Sequence, residues 1–186
     1  MTGEDESVNT AMIDMLKMIG LAIVFIYLIM VAQFQSLKSP FIVMFTIPLA
    51  FTGGLLALVI TKQMLSIVAM IGFLVLAGVV VNNGIVFVDY VNQLRVEGMA
   101  KRDALIQTGK DRIRPILMTA LTTILANSTL AMGVGMGAEL SQGMAVVSIG
   151  GLAYATLLTL FLVPVLYNIF NRGEMKVIEV DFEDEE

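Results

Sequence analysis

Residues 65–91 read LSIVAMIGFLVLAGVVVNNGIVFVDYV, and this stretch decides the fold class. All but its last three residues sit in a run of 26 residues without a charged side chain, between Lys62 and Asp89. An α-helix rises about 1.5 Å per residue, so about 20 residues cross a hydrocarbon core roughly 30 Å thick. Similar charge-free runs lie on either side: 20 residues between Lys17 and Lys38, 23 between Lys38 and Lys62, 24 between Arg114 and Glu139, and 32 between Glu139 and Arg172. Lipid leaves no partner for a bare backbone N–H or C=O, so such runs are helices or closed-barrel strands, and none alternates with period two. The pattern therefore predicts an all-α, multi-pass membrane protein with five transmembrane helices, at about 16–34, 39–61, 65–91, 115–134 and 143–170.

Composition agrees. The 186 residues are 58% hydrophobic, with a mean hydropathy of +0.88 and only 15% charged residues, against roughly 45–50% apolar residues in soluble domains. The net charge of −5 belongs to the ends, because residues 17–170 carry 9 bases against 5 acids. Residues 1–15 read as an acidic extracytoplasmic lead-in and 171–186 as a solvated acidic cytoplasmic tail. With no Cys and no His, disulfides, thiol chemistry, and zinc or haem sites built on those ligands are excluded. No Gly-rich phosphate loop with Lys-Ser/Thr is present, which speaks against ATP hydrolysis. Neither cofactor, metal nor nucleic-acid partner is expected; the 14 Met residues do not pair at helical spacing on one span and read as packing.

Between the third and fourth spans, Arg95, Lys101, Arg102, Lys110, Arg112 and Arg114 interleave with apolar residues. This predicts a short amphipathic helix on the bilayer surface, about 99–112, bounded by Gly98 and Gly109. Pro48 inside the second span predicts a kink. Counting Lys and Arg on alternate sides of the five spans gives nine against two. Cytoplasmic loops carry the excess, so the N-terminus is expected outside and the tail in the cytoplasm. An acidic N-terminus on the outside needs something upstream to carry it across, which hints that the chain is an excerpt.

Polar residues inside spans are costly unless paired, and so are candidate functional groups. In the third span Asn82 and Asp89, seven residues apart, share a helix face with Asn83 beside it. In the fourth, Thr119, Thr123 and Asn127 recur every fourth residue, with Thr122 adjacent. Two such stripes could form a hydrogen-bonded path for protons or water. The rival reading is packing: membrane Ser and Thr often bond their own helical turn, and Asp89 near a helix end could simply be solvated. Gly53-Gly54, Gly72, Gly78 and Gly150-Gly151 mark close helix approaches. One carboxylate within a span is too few for an aspartyl dyad, so no enzyme is expected.

Five strings resemble the RND superfamily of proton-driven efflux pumps, in its hydrophobe/amphiphile multidrug branch: VAQFQSLKSP (31–40), TIPLAFTGG (46–54), GVVVNNGIVFVDYVN (78–92), RIRPILMT (112–119) and LFLVPVLY (160–167). The resemblance implies the second half of the RND transmembrane domain without its first helix, in a bacterial inner membrane. It further implies a trimer when complete, with amphiphilic or hydrophobic substrates handled by a porter region that this sequence does not contain. It assigns a proton-relay role to the positions of Asn82, Thr119 and Arg112, with Asn83 and Asp89 flanking them in the same motif; Thr123, on the threonine stripe, is a further relay candidate. The carboxylates that the relay needs would come from the missing N-terminal half. Many members carry a lysine at the position of Asn82; an amide donates and accepts hydrogen bonds but compensates no charge, which favours hydrogen bonding or water over charge exchange. The alternative is a stand-alone small membrane protein that packs against or regulates a transporter half.

Overall fold

A computed structural model describes residues 3–172. The described residues form helices only: α1 (Gly3–Phe34), α2 (Lys38–Met44), α3 (Thr46–Thr61), α4 (Ile67–Val96), α5 (Lys101–Ala131) and α6 (Ala138–Phe170). The acidic tail expected over 171–186 lies almost wholly outside the described residues. Among the described residues, four segments are long and apolar enough to cross a membrane: Gly3–Phe34, Lys38–Thr61, Ile67–Val96 and Ala138–Phe170.

Three boundaries differ from the sequence reading. First, α1 is continuous from Gly3, so the described part of the acidic lead-in is the first turns of the first helix rather than a separate segment. Second, the expected kink is a break. Pro48 has no N–H to offer the Met44 carbonyl four residues back, and the helix stops at Phe45 and restarts. Third, the interfacial helix expected at 99–112 is not separate: it and the segment expected as the fourth span form one helix, α5, running through Gly109 and Pro115. A helical glycine costs only about 1 kcal/mol and a proline removes one backbone bond. The helix packs against α6.

Helix α6 is the hub, packed against α3, α4 and α5, while α1 leans on α4 at the edge. Lipid tails are as apolar as leucine, so helix association depends on close van der Waals fit. That fit is made by paired glycines. A Cβ on Gly150 would sit 2.2 Å from Ala57 Cβ, and one on Gly53 would sit 3.0 Å from the Gly150 carbonyl. Across α4, a Cβ on Gly151 would meet Leu76 Cδ2 at 2.1 Å and one on Gly72 the Met144 carbonyl at 2.9 Å. Two apolar layers are stacked along the bundle, one around Ile19, Phe73, Val147 and Leu152, the other around Met30, Ile42, Phe87 and Val163.

Each end of the bundle is tied by polar groups. At one end, α3 closes with Lys62 in the left-handed conformation, its N–H bonded to Val59 O and that of Gln63 to Leu58 O, a glycine-type cap achieved with lysine. Gln63 Nε2 donates to Gln142 Oε1 (3.1 Å) and Gln142 Nε2 to Ala131 O (2.8 Å), linking the ends of α3, α6 and α5. At the other, basic end, buried Arg95 donates to Tyr167 Oη (3.2 Å), and that hydroxyl donates to Asn92 Oδ1. Asn92 Nδ2 reaches Ser39 Oγ at 3.4 Å, so α2, α4 and α6 share one network. Lys101 Nζ caps α6 through the carbonyls of Asn168 and Asn171, each at 3.2 Å, where a cation also complements the helix dipole.

Two predictions follow from this packing. Gly150→Ala forces a methyl into Ala57 and should lower stability by about 1–3 kcal/mol, whereas Gly78→Ala, with nothing within 4 Å of the added Cβ, should be neutral or stabilising. Thermal unfolding in detergent micelles separates the two. Tyr167→Phe removes the buried hydroxyl that accepts from Arg95 and donates to Asn92 and should cost about 1–3 kcal/mol in the same assay.

Candidate functional site

The seam between α4 and α5 carries the candidate residues. The two helices run antiparallel, and small pockets fix their register: Val75 and Val79 share one with Thr123 and Asn127, and Val80 and Asn83 share another with Ile116. Farther along, the Arg112 guanidinium lies 4.4 Å over the Tyr90 ring. Each step forward on α4 is thus a step back on α5, which places Asn82 level with Thr119.

The six candidates divide by environment. Asn82, Asp89 and Thr119 are exposed on the surface of the chain, Thr123 and Arg112 are half-buried, and Asn83 is buried. Thr119 Oγ1 donates to Pro115 O (3.0 Å) and Thr123 Oγ1 to Thr119 O (2.8 Å). These are the own-turn bonds of the packing reading. A hydroxyl whose proton is so committed keeps its oxygen lone pairs as acceptors, so Thr119 can still receive a hydrogen bond from outside the helix. Asn82 and Asn83, one residue apart on a helix, point about 100° apart, and only Asn82 is on the open face.

Arg112 stands at the mouth of the seam. Tyr90 Oη and Gln107 Nε2 each donate to Asp111 Oδ2 at 2.9 Å, beside the stacked guanidinium. The bonds from Gln107 and Tyr90 hold the Asp111 carboxyl below the usual carboxylate range. Arg112 Nε is buried without a hydrogen-bond partner. The candidates therefore do not form one closed cluster: Asn82, Asp89 and Thr119 lie along an open face, Arg112 is at its end, and Asn83 is turned inward.

Sequence reasoning missed the polar groups that pack away from the seam's open face. Thr156 and Thr159 of α6 line a cavity with Asn83, and Ser39, Asn92, Arg95 and Tyr167 form the basic-end network. The spacing of Ser148, Thr156 and Thr159 along one face of α6 was the available signal, masked by the length of the apolar run around it. Among the described residues, no group of three His, Cys, Asp or Glu side chains is placed to hold a metal ion.

A profile of the AcrB/AcrD/AcrF family matches residues 1–171. Over 156 residues the chain is 42% identical to the swarming motility protein SwrC of Bacillus subtilis (strain 168), covering 83% of this chain and 15% of that protein. Over 172 residues it is 37% identical to the cobalt-zinc-cadmium resistance protein CzcA of Cupriavidus metallidurans, covering 92% of this chain and 16% of that protein. The crystal structure of a heavy metal efflux pump (crystal form II) matches with a TM-score of 0.80 at 29% identity, over 90% of this chain and 16% of the pump. The chain thus spans about one-sixth of the length of these relatives. With the family match running from the first residue to the end of α6, and the helical fold shared with a solved efflux pump, this chain belongs to the AcrB/AcrD/AcrF family of RND transporters.

Proposed function

We propose that this chain forms part of the transmembrane domain of a proton-driven RND efflux transporter and supplies the neutral half of its proton relay. The observation that carries the reading is the open face on which Asn82, Asp89 and Thr119 are exposed. Polar groups left against hydrocarbon would cost several kcal/mol, so that face fits a covering helix of polar character better than lipid. A carboxylate-bearing helix of the complementary half suits it. Asn82 donates to a carboxylate when that group is ionised and accepts from it when it is protonated. Thr119 offers an acceptor at the same level, and Arg112 a fixed positive charge at the end of the seam. The role is transport rather than catalysis. The stand-alone reading fits less well, because relatives six times longer contain the same stretch.

In this reading α5 is a fifth span. Its uncharged part, Pro115–Ala131, has 17 residues, the lower limit for crossing. With five spans, the excess of Lys and Arg on one side favours α1's start outside and the basic end in the cytoplasm; the bacterial inner membrane and a trimer as the complete assembly are what the resemblance to RND pumps implies.

The cargo has two readings. The five strings favour amphiphilic compounds, exported through a porter region. The names of CzcA and of the solved heavy metal efflux pump favour divalent cations. Inverted vesicles holding the complete transporter, energised by a pH gradient, distinguish them: an amphiphilic dye accumulates in the first case, zinc or cadmium in the second. In the same vesicles Asn82→Leu and Thr119→Val should each lower gradient-driven transport about tenfold, the equivalent of one hydrogen bond at about 1–1.5 kcal/mol. Met118→Leu should not. Unaltered transport in Asn82→Leu contradicts the relay role.

A further inference from the structure

On the inward side of the same seam, Thr156 and Thr159 are more than nine-tenths buried, and the hydroxyl of each lacks a hydrogen-bond partner. Many other helical threonines behave differently: Thr46, Thr52, Thr108, Thr119 and Thr123 each donate to a carbonyl of their own or the preceding turn. The buried Asn83 of α4 faces the same cavity of about 10 Å³, whose remaining walls are Val80, Ile116 and Ala155. That volume is about what one water requires, and a buried water needs two to four polar partners.

We propose that Asn83, Thr156 and Thr159 form a binding site for a single water molecule that bridges α4 and α6 inside the bundle. Leaving two buried hydroxyls unpaired costs more than immobilising one water that serves both. The chemistry of the walls selects water over an ion, because the three groups are neutral and compensate no charge. Hydroxyls and an amide all donate and accept, so the water is satisfied in either orientation of the Asn83 amide. The site stands whether or not the open face around Asn82 carries protons. It explains why two adjacent asparagines occur in α4: one faces outward along the seam, the other holds solvent behind it.

A structure of the complete transporter, at a resolution that shows ordered solvent, tests the site. The expected result is a solvent peak within about 2.7–3.2 Å of Thr156 Oγ1, Thr159 Oγ1 and the Asn83 amide. A second arm replaces both hydroxyls by methyls, Thr156→Val with Thr159→Val, and should lower the unfolding temperature because the water loses two of its three partners. Hydroxyls turned onto the carbonyls of Leu152 and Ala155, with no solvent between them and Asn83, would overturn the proposal. So would a double variant as stable as the parent. If the double variant fails to fold, the peak in the unaltered protein decides.

Discussion

The close crossing of α6 with α3 and α4 is the constraint on which the rest of the bundle depends. Gly53 and Gly54 meet Tyr154, Val147 and the Gly150 carbonyl, and Gly151 meets Leu76 and the Ala50 carbonyl. In water, hydrophobic burial would hold these helices together even with an imperfect fit; in lipid that force is missing, and contact distance has to supply the attraction. Placing glycines at the crossing lets α6 sit at the centre and touch α3, α4 and α5 together. Once α6 is fixed, α5 has one groove to occupy, and the antiparallel register of α4 and α5 follows.

Polar groups are distributed in a way that serves this packing. The two glutamines at one end and the buried Ser39–Asn92–Tyr167–Arg95 network at the other fasten the helices near their ends, leaving the middle mainly to apolar layers. Within that middle, polar side chains occur along the α4–α5 seam and on the inner face of α6. The outer residues of the seam suit a partner helix and the inner ones suit a solvent molecule. One short sequence, Asn82-Asn83, contributes to both sides of it.

Much of this was legible before any coordinates. Charge-free runs located the apolar parts of the helices, because excluding charge is what the bilayer demands, but not the charged starts of α1 and α5, and Pro48 marked the break at Phe45 to within three residues. The seam residues were visible as polar interruptions at helical spacing. What the sequence hid has physical causes. Clustered bases over 95–114 look like a surface helix whether or not the chain continues straight into the next span, and only packing against α6 shows that α5 is continuous. Thr156 and Thr159 resemble any membrane threonines until the neighbours that fail to pair with them are known. Arg95 looks like one more loop cation, yet its guanidinium is buried against Tyr167, 72 residues away.

The account rests most heavily on α5 crossing the membrane beside α4, since that crossing sets Thr119 at the level of Asn82. The chain has no cysteine, so single cysteines can be introduced in turn at Met99, in the turn before α5, and at Met136, in the turn after it, and probed with a membrane-impermeant maleimide in cells expressing the complete transporter with any other cysteines replaced. The account predicts labelling of Met136→Cys from outside intact cells and of Met99→Cys only after the membrane is opened. Labelling of both from the same side would contradict it.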